Sequence, residues 1–332
     1  MNGNGNGHGK RPKLSVVGGG AWGVALATAA ASAGSDVLLY SRRQHELRRG
    51  ITQTDDLTSL ATHARTILLA VPTTHVRDLA RELGDHLDGH HVLVHGVRGL
   101  VARPTNDPAW EGDDLITISA MLREETPARR FGALGGPVLT EELAAGLPSV
   151  MVVASHYPEV IDEVRGTLGG SSLRIYTTDD LLGLEWASAL VSILAIAIGF
   201  ARGAGIGAGL MSAFAIRGVH EAARVGMAAG AVERTFLGLG GFGDLLAAMS
   251  QGNRPEVRLG ESLARGESME STLAKLGQRI EAVELAPRVA EFAERHKVEA
   301  PILNTVARGI LARRPVDDLV QLLMTAPMSR KA

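Results

Sequence analysis

Three glycines in Gly18-Gly19-Gly20-Ala21-Trp22-Gly23 have the spacing of a turn that receives a pyrophosphate. Gly18 permits the tight turn, Gly20 lets the backbone approach the phosphates, and Gly23 lets the following helix pack closely. Ala21 and Trp22 complete this cradle, at a helix start whose unpaired N–H groups favour anions. After the second apolar run, where an NAD site usually places an acidic residue, the chain reads Ser41-Arg42-Arg43. A hydroxyl and two guanidinium groups suit a 2′-phosphate, so NADP(H) is favoured over NAD(H). Solvation of a helix start is the alternative use of the two arginines. Val71 and Pro72 end a third apolar run at the cofactor edge. Farther on, Arg98 follows a strand on the cofactor side, where a cation would attract an anionic ligand. Asp244 follows Gly243 on a glycine-rich turn and either caps the next helix or contacts substrate. Arg254 and Arg258 fit an anion site at a helix start or a solvated face. His95 reads as a core histidine, and Arg217 fits a structural salt bridge. His220 and Glu221 have titratable side chains, which the fold must bring to the cleft if they are to act.

The elements that must carry these groups are read from periodicity. Leu14 to Val17 is a short apolar strand leading into the glycine turn and an alanine-rich helix, and Asp36 to Tyr40 is the second strand. Thr66 to Val71 fits a buried parallel strand, followed by a helix from His75 to Leu83. Strands are expected at His91–Gly96, Val150–Ala154 and Leu173–Tyr176, with weaker candidates at Asp114–Met121 and Phe131–Gly136. Glu141 and Glu142 face a helix dipole and read as capping residues. This alternation predicts an α/β protein built on a Rossmann doubly wound sheet. From Thr177 the pattern turns helical, with Asp179 or Thr178 expected to cap a long first helix. The expected division is a disordered tail at 1–12, a dinucleotide-binding Rossmann domain at 13–178 and an all-helical substrate domain at 179–332.

Composition removes several chemistries. Of 332 residues, 45% are hydrophobic and 21% charged, and the net charge of −2 offers no global basic field for nucleic acid. Cysteine is absent, which excludes thiolate catalysis and disulfides, and no metal site is expected. Lysine occurs only at positions 10, 13, 275, 297 and 331, so no amine chemistry can come from the middle of the chain. The amino terminus lacks the apolar core of a signal peptide. The apolar run Trp186–Ala201 is shorter than the ~20 residues that span a bilayer. A cytoplasmic protein without a membrane partner is the expectation.

Longer stretches then resemble a known family. GGGAWGVALA at 18–27, AVPTTHVRDL at 70–79, GGPVLTEELAAGLPS at 135–149, TTDDLLGLEWASAL at 177–190, AIRGVHEAARVG at 215–226 and TFLGLGGFGDL at 235–245 are similar to the NAD(P)-dependent glycerol-3-phosphate dehydrogenases. The resemblance covers nearly everything after residue 12. It implies a substrate cleft between a Rossmann domain and a helical domain, with hydride transfer between nicotinamide and C2 of dihydroxyacetone phosphate or glycerol 3-phosphate. It also implies a catalytic lysine followed by a substrate-contacting asparagine, and here those positions are Val191 and Ser192. A second family lysine aligns with Arg98. Asp244 is retained, whereas the threonine that normally follows falls at Ala248. The family's Arg-Asn pair for the substrate phosphate is inverted or lost at Asn253-Arg254, and its Asn-Thr-Lys run has become Gly209-Leu210-Met211.

Within that resemblance Asp244 and Arg98 are the candidate catalytic residues, and Arg98, Ser192, Asp244 and Arg254 the candidate substrate contacts. A positioned proton donor typically contributes ~10²–10⁴-fold to such a reduction, and valine supplies none. The expected function is an NAD(P)H-dependent oxidoreductase with an altered small-molecule substrate, a ketone or an imine. An orthodox glycerol-3-phosphate dehydrogenase and a nucleotide-binding homologue without turnover are the alternatives. A homodimer is expected by fold analogy.

Overall fold

The computed structural model describes residues 11–103 and 115–312. In its first half β1 (Lys13–Val17), α1 (Ala21–Ser32), β2 (Asp36–Tyr40), β3 (Ile51–Thr54), α2 (Leu57–His63), β4 (Thr66–Leu69), α3 (Thr73–Gly84) and β5 (Val92–His95) follow one another. Next come β6 (Leu100–Ala102), β7 (Leu115–Thr117), α4 (Ile118–Glu125), β8 (Arg130–Gly135), α5 (Thr140–Ala145), β9 (Ser149–Ala154), α6 (Pro158–Leu168) and β10 (Leu173–Thr178). Eight strands form one sheet in the order β10-β9-β8-β5-β4-β1-β2-β3, and β6 pairs with β7 outside it. All neighbours in the sheet are parallel except β8 and β9, which run antiparallel. The strand order reverses between β1 and β4, and a doubly wound sheet binds its ligand at the carboxyl ends of the strands beside such a switch point.

The continuous apolar runs became buried strands because helices cover both faces of the sheet. Every residue of β4 and β5 is buried, including His95. Two sequence expectations are corrected here. The stretch from residue 115 is a strand only to Thr117, whose hydroxyl accepts from Ala120 N at 3.2 Å and starts α4. Position 114 lies outside the described residues, as do residues 1–10 of the tail and any helix beyond 312. The strand β3 was not expected, because Ile51-Thr52-Gln53-Thr54 alternates only weakly as an edge.

The second half is helical: α7 (Leu181–Gly203), α8 (Ala208–Ala228), α9 (Glu233–Leu237), α10 (Asp244–Ser250), α11 (Pro255–Ala264), α12 (Met269–Leu276), α13 (Glu281–Arg295) and α14 (Pro301–Thr305). A π-helical turn, Leu239–Gly243, joins α9 to α10. Asp180, rather than Asp179 or Thr178, caps α7: its carboxylate accepts from Gly183 N at 2.9 Å. The same carboxylate takes Val232 N at 3.1 Å and the Thr235 hydroxyl at 2.5 Å, which ties α9 to the start of α7. At 23 residues α7 is longer than its sequence signal, and it is long and apolar enough to cross a membrane, but 94% of its apolar window is buried inside the fold. Gly199 on α7 and Gly260 on α11 let the two helices meet backbone to backbone: a Cβ on Gly199 would run into Val257 O, and one on Gly260 into Ile196 O.

Candidate active site

The nucleotide cradle stands at the switch point. Gly18 has φ +121°, and a Cβ there would drive into the carbonyl of Ala70. Gly20, by contrast, faces open space, which is where a pyrophosphate needs the backbone bare. Gly23 packs α1 against the turn itself, since a Cβ there would strike Gly18 O. A groove of about 750 Å³ opens in front, lined by Gly18, Gly20, Ser41, Arg42, Arg43, Val71 and Pro72, with His75, Asp78 and Glu82 of α3 on its far wall. Ala21, Trp22 and Gly23 do not line it. Trp22 instead donates from Nε1 to Gly96 O at 3.1 Å, buttressing the end of β5.

The Ser41 hydroxyl bonds His45 Nε2 at 3.0 Å and the backbone of Arg43, and Gln53 holds the loop by donating to Ser41 O and Arg43 O at 3.2 and 2.8 Å. The Arg42 and Arg43 side chains are exposed at the groove mouth, with no ion-pair partner among the described residues. The cradle therefore fits a dinucleotide: an open glycine, a helix N-terminus and two cations at the adenosine end.

Beyond the end of β5 three expected residues come together, and their roles tighten. Asp244 does not cap α10; only 1% of its side chain is exposed, and it bridges two arginines. Arg98, on the loop after β5, donates to Oδ2 at 2.5 Å and to Gly136 O at 3.4 Å. Arg254, at the start of α11, reaches Oδ1 at 3.3 Å, while its Nε lies 3.4 Å from Glu256. Burial opposes the charge on Arg254, but Asp244 and Glu256 together hold its pKa above the ordinary arginine range. Its Nη2 is buried without a partner. Two arginines thus face two carboxylates, and the cluster offers an anion little net attraction.

Val191 and Ser192 are both 2% exposed. Val191 belongs to the apolar core with Leu190, Leu194 and Met211. The Ser192 hydroxyl donates to Ser188 O at 3.2 Å along its own helix. Glu141 and Glu142 lie in the first turn of α5, facing its dipole as expected, but they make no side-chain cap; they accept from Asn253 and Gln251 at 3.0 and 3.1 Å, fixing the turn before Arg254. Glu221 is not delivered to the cleft: it accepts from Ile302 N and Leu303 N at 2.7 and 3.3 Å and anchors α14. Arg258 is exposed on α11. Sequence reasoning missed Glu281, which accepts Thr73 N at 2.6 Å and the Thr73 hydroxyl, so that α13 clasps the first turn of α3. Burial raises its pKa above the usual glutamate range.

A Rossmann nucleotide cradle followed by a helical half, with Arg98 of the first paired to Asp244 of the second, defines a two-part nicotinamide-dependent oxidoreductase. Two family models cover the chain: the NAD-dependent glycerol-3-phosphate dehydrogenase N-terminus matches residues 43–161, and its C-terminus matches 180–321. A glycerol-3-phosphate dehydrogenase (NAD(P)+) of Leuconostoc mesenteroides is 33% identical over 95% of this chain and 98% of its own, and one of Parvibaculum lavamentivorans is 31% identical over 95% and 97%. Among solved structures, glycerol-3-phosphate dehydrogenase from Coxiella burnetii has a TM-score of 0.85 at 24% identity, covering 95% of this chain and 99% of its own. The chain belongs to the NAD-dependent glycerol-3-phosphate dehydrogenase family, and it is an NAD(P)-dependent oxidoreductase with a small-molecule substrate.

Proposed function

We propose that this chain is an NADPH-dependent reductase on the glycerol-3-phosphate dehydrogenase scaffold whose substrate is a ketone or imine other than dihydroxyacetone phosphate. The observation that carries the reading is Val191, which stands in hydrocarbon at the position where the family resemblance implies a proton-donating lysine. The matched charges of Arg98, Asp244, Arg254 and Glu256 agree with it, because a triose phosphate brings a dianion that an already neutralised cluster attracts weakly. An imine that arrives protonated needs no acid from the protein. The cofactor preference rests on Arg42 and Arg43, whose guanidinium groups stand at the mouth of the groove and suit a 2′-phosphate. When bound, the reduced nicotinamide supplies the hydride, and this chain's residues bind and orient the acceptor.

The test follows NADPH and NADH oxidation against dihydroxyacetone phosphate, dihydroxyacetone, cyclohexanone and 1-pyrroline. A neutral ketone or the imine should be reduced faster than the triose phosphate. Installing the amine and the amide with V191K/S192N should raise the rate on dihydroxyacetone phosphate by ~10²-fold, the low end of general-acid effects, because the new ammonium must be buried. Wild-type turnover of dihydroxyacetone phosphate matching that of the Leuconostoc mesenteroides relative would refute the reading.

A further inference from the structure

The loop from Ser41 to Gly50 joins β2 to β3 without regular structure, yet its first residues are held from behind. β2 and β3 are parallel with Tyr40 opposite Thr54, and Ser41 extends the pairing by donating its N–H to Thr54 O at 3.0 Å. One residue back on β3, Gln53 turns its whole amide to the loop. Its Nε2 donates to Ser41 O at 3.2 Å and to Arg43 O at 2.8 Å, and its Oε1 accepts from His45 N at 3.2 Å. The hydroxyl of Ser41, a residue 7% exposed, closes a second ring inside the first. It donates to Arg43 O at 2.9 Å and accepts from Arg43 N at 3.2 Å, so its single proton is already used, and in the 3.0 Å contact with His45 Nε2 the imidazole is the donor. The pair also fixes the loop against the glycine turn: a Cβ on Gly19 would run into both Ser41 Oγ and His45 Nε2.

The backbone of Arg42 and Arg43 is therefore pinned on both sides, while their side chains stand free at the mouth of the groove. A guanidinium on a loose loop must be ordered twice when it meets an anion, first through its backbone and then through its own rotamers. Here folding has already done the first. We infer that Gln53 and His45 are positioning residues for cofactor selectivity, which set Arg42 and Arg43 so that their guanidinium groups meet the 2′-phosphate of NADPH. This rests on the NADP(H) preference proposed above and deepens it by naming what enforces it. NADH carries a hydroxyl at that position and gains little from the two cations, so the network acts on one nucleotide and not on the other.

Calorimetry on the full chain reads the affinities for NADPH, NADH, adenosine 2′,5′-bisphosphate and AMP. Q53L keeps the bulk and removes the amide; it should weaken NADPH and the bisphosphate by ~10-fold and leave NADH and AMP within about twofold of wild type. H45L leaves β3 intact and should act in the same direction by ~3-fold, which carries the test should Q53L not fold. Both effects work through the arginines, so R42Q/R43Q/Q53L should bind NADPH as R42Q/R43Q does. A merely structural role for Gln53 would weaken NADH equally and would add in full to R42Q/R43Q. Unchanged NADPH affinity in Q53L and H45L, an equal loss of NADH, or an additive triple variant overturns the inference, and a loss of NADPH in R42Q/R43Q then leaves the cofactor reading standing. Wild type binding NADH as tightly as NADPH, or R42Q/R43Q keeping wild-type NADPH affinity, overturns both.

Discussion

Replacing Asp244 with asparagine removes one charge without opening a cavity, and the structure sets what that costs. Asp244 is buried between Arg98, whose side chain is 29% exposed, and Arg254, at 10%. Removing one partner of a buried ion pair leaves an uncompensated charge, typically at a cost of about 3–5 kcal/mol. D244N should fall near the lower end, at about 3 kcal/mol, because the amide oxygen still accepts from one guanidinium and Glu256 still faces Arg254. Urea unfolding at pH 7 measures it. The coupling should also be unequal: a double-mutant cycle of D244N with R254Q should give a larger interaction energy than one with R98Q, because solvent screens Arg98 and does not reach the Arg254 head. A D244N midpoint equal to wild type, or equal couplings, would refute the view that the cluster is a buried neutralised network.

Two further outcomes follow from groups elsewhere. R42Q/R43Q should weaken NADPH binding by ~10–100-fold, the effect of losing charge-assisted hydrogen bonds, and leave NADH binding unchanged; equal loss for both nucleotides would remove the 2′-phosphate assignment. Burial raises the Glu221 pKa from 4.5 to about 7, against the pull of the Ile302 and Leu303 amides. A carboxyl with a raised folded-state pKa contributes stability that is complete below about pH 4.5 and lost by about pH 7, here on the order of 3 kcal/mol at most. E221Q should flatten that slope between pH 4.5 and 7, as read from urea midpoints across the range; parallel wild-type and variant curves would show that Glu221 does not titrate there.

How much of this was legible in the sequence depended on range. The cradle was, because Gly18, Gly20 and Gly23 answer to a turn a few residues long, and the strands at 66–69 and 92–95 were, because a parallel sheet covered on both faces demands continuous apolar runs. The weakly alternating edge strand β3 carried no such signal. Roles fixed by distant partners were hidden. Nothing local tells Asp244 to bridge Arg98 and Arg254 rather than cap α10, or directs Glu281 to Thr73 across 208 positions. His95 was legible as a core histidine from its apolar strand, and it is buried; its Glu185 partner lies 90 positions away on a helix whose polar face shows only once its neighbours are known.

The backbone contact between Gly199 and Gly260 turns two helices into a single stiff beam. Arg254 rides at one end of that beam, so its guanidinium is aimed by a joint far from any reacting atom. A single methyl group at either glycine would pry the beam apart and swing the arginine off its carboxylate.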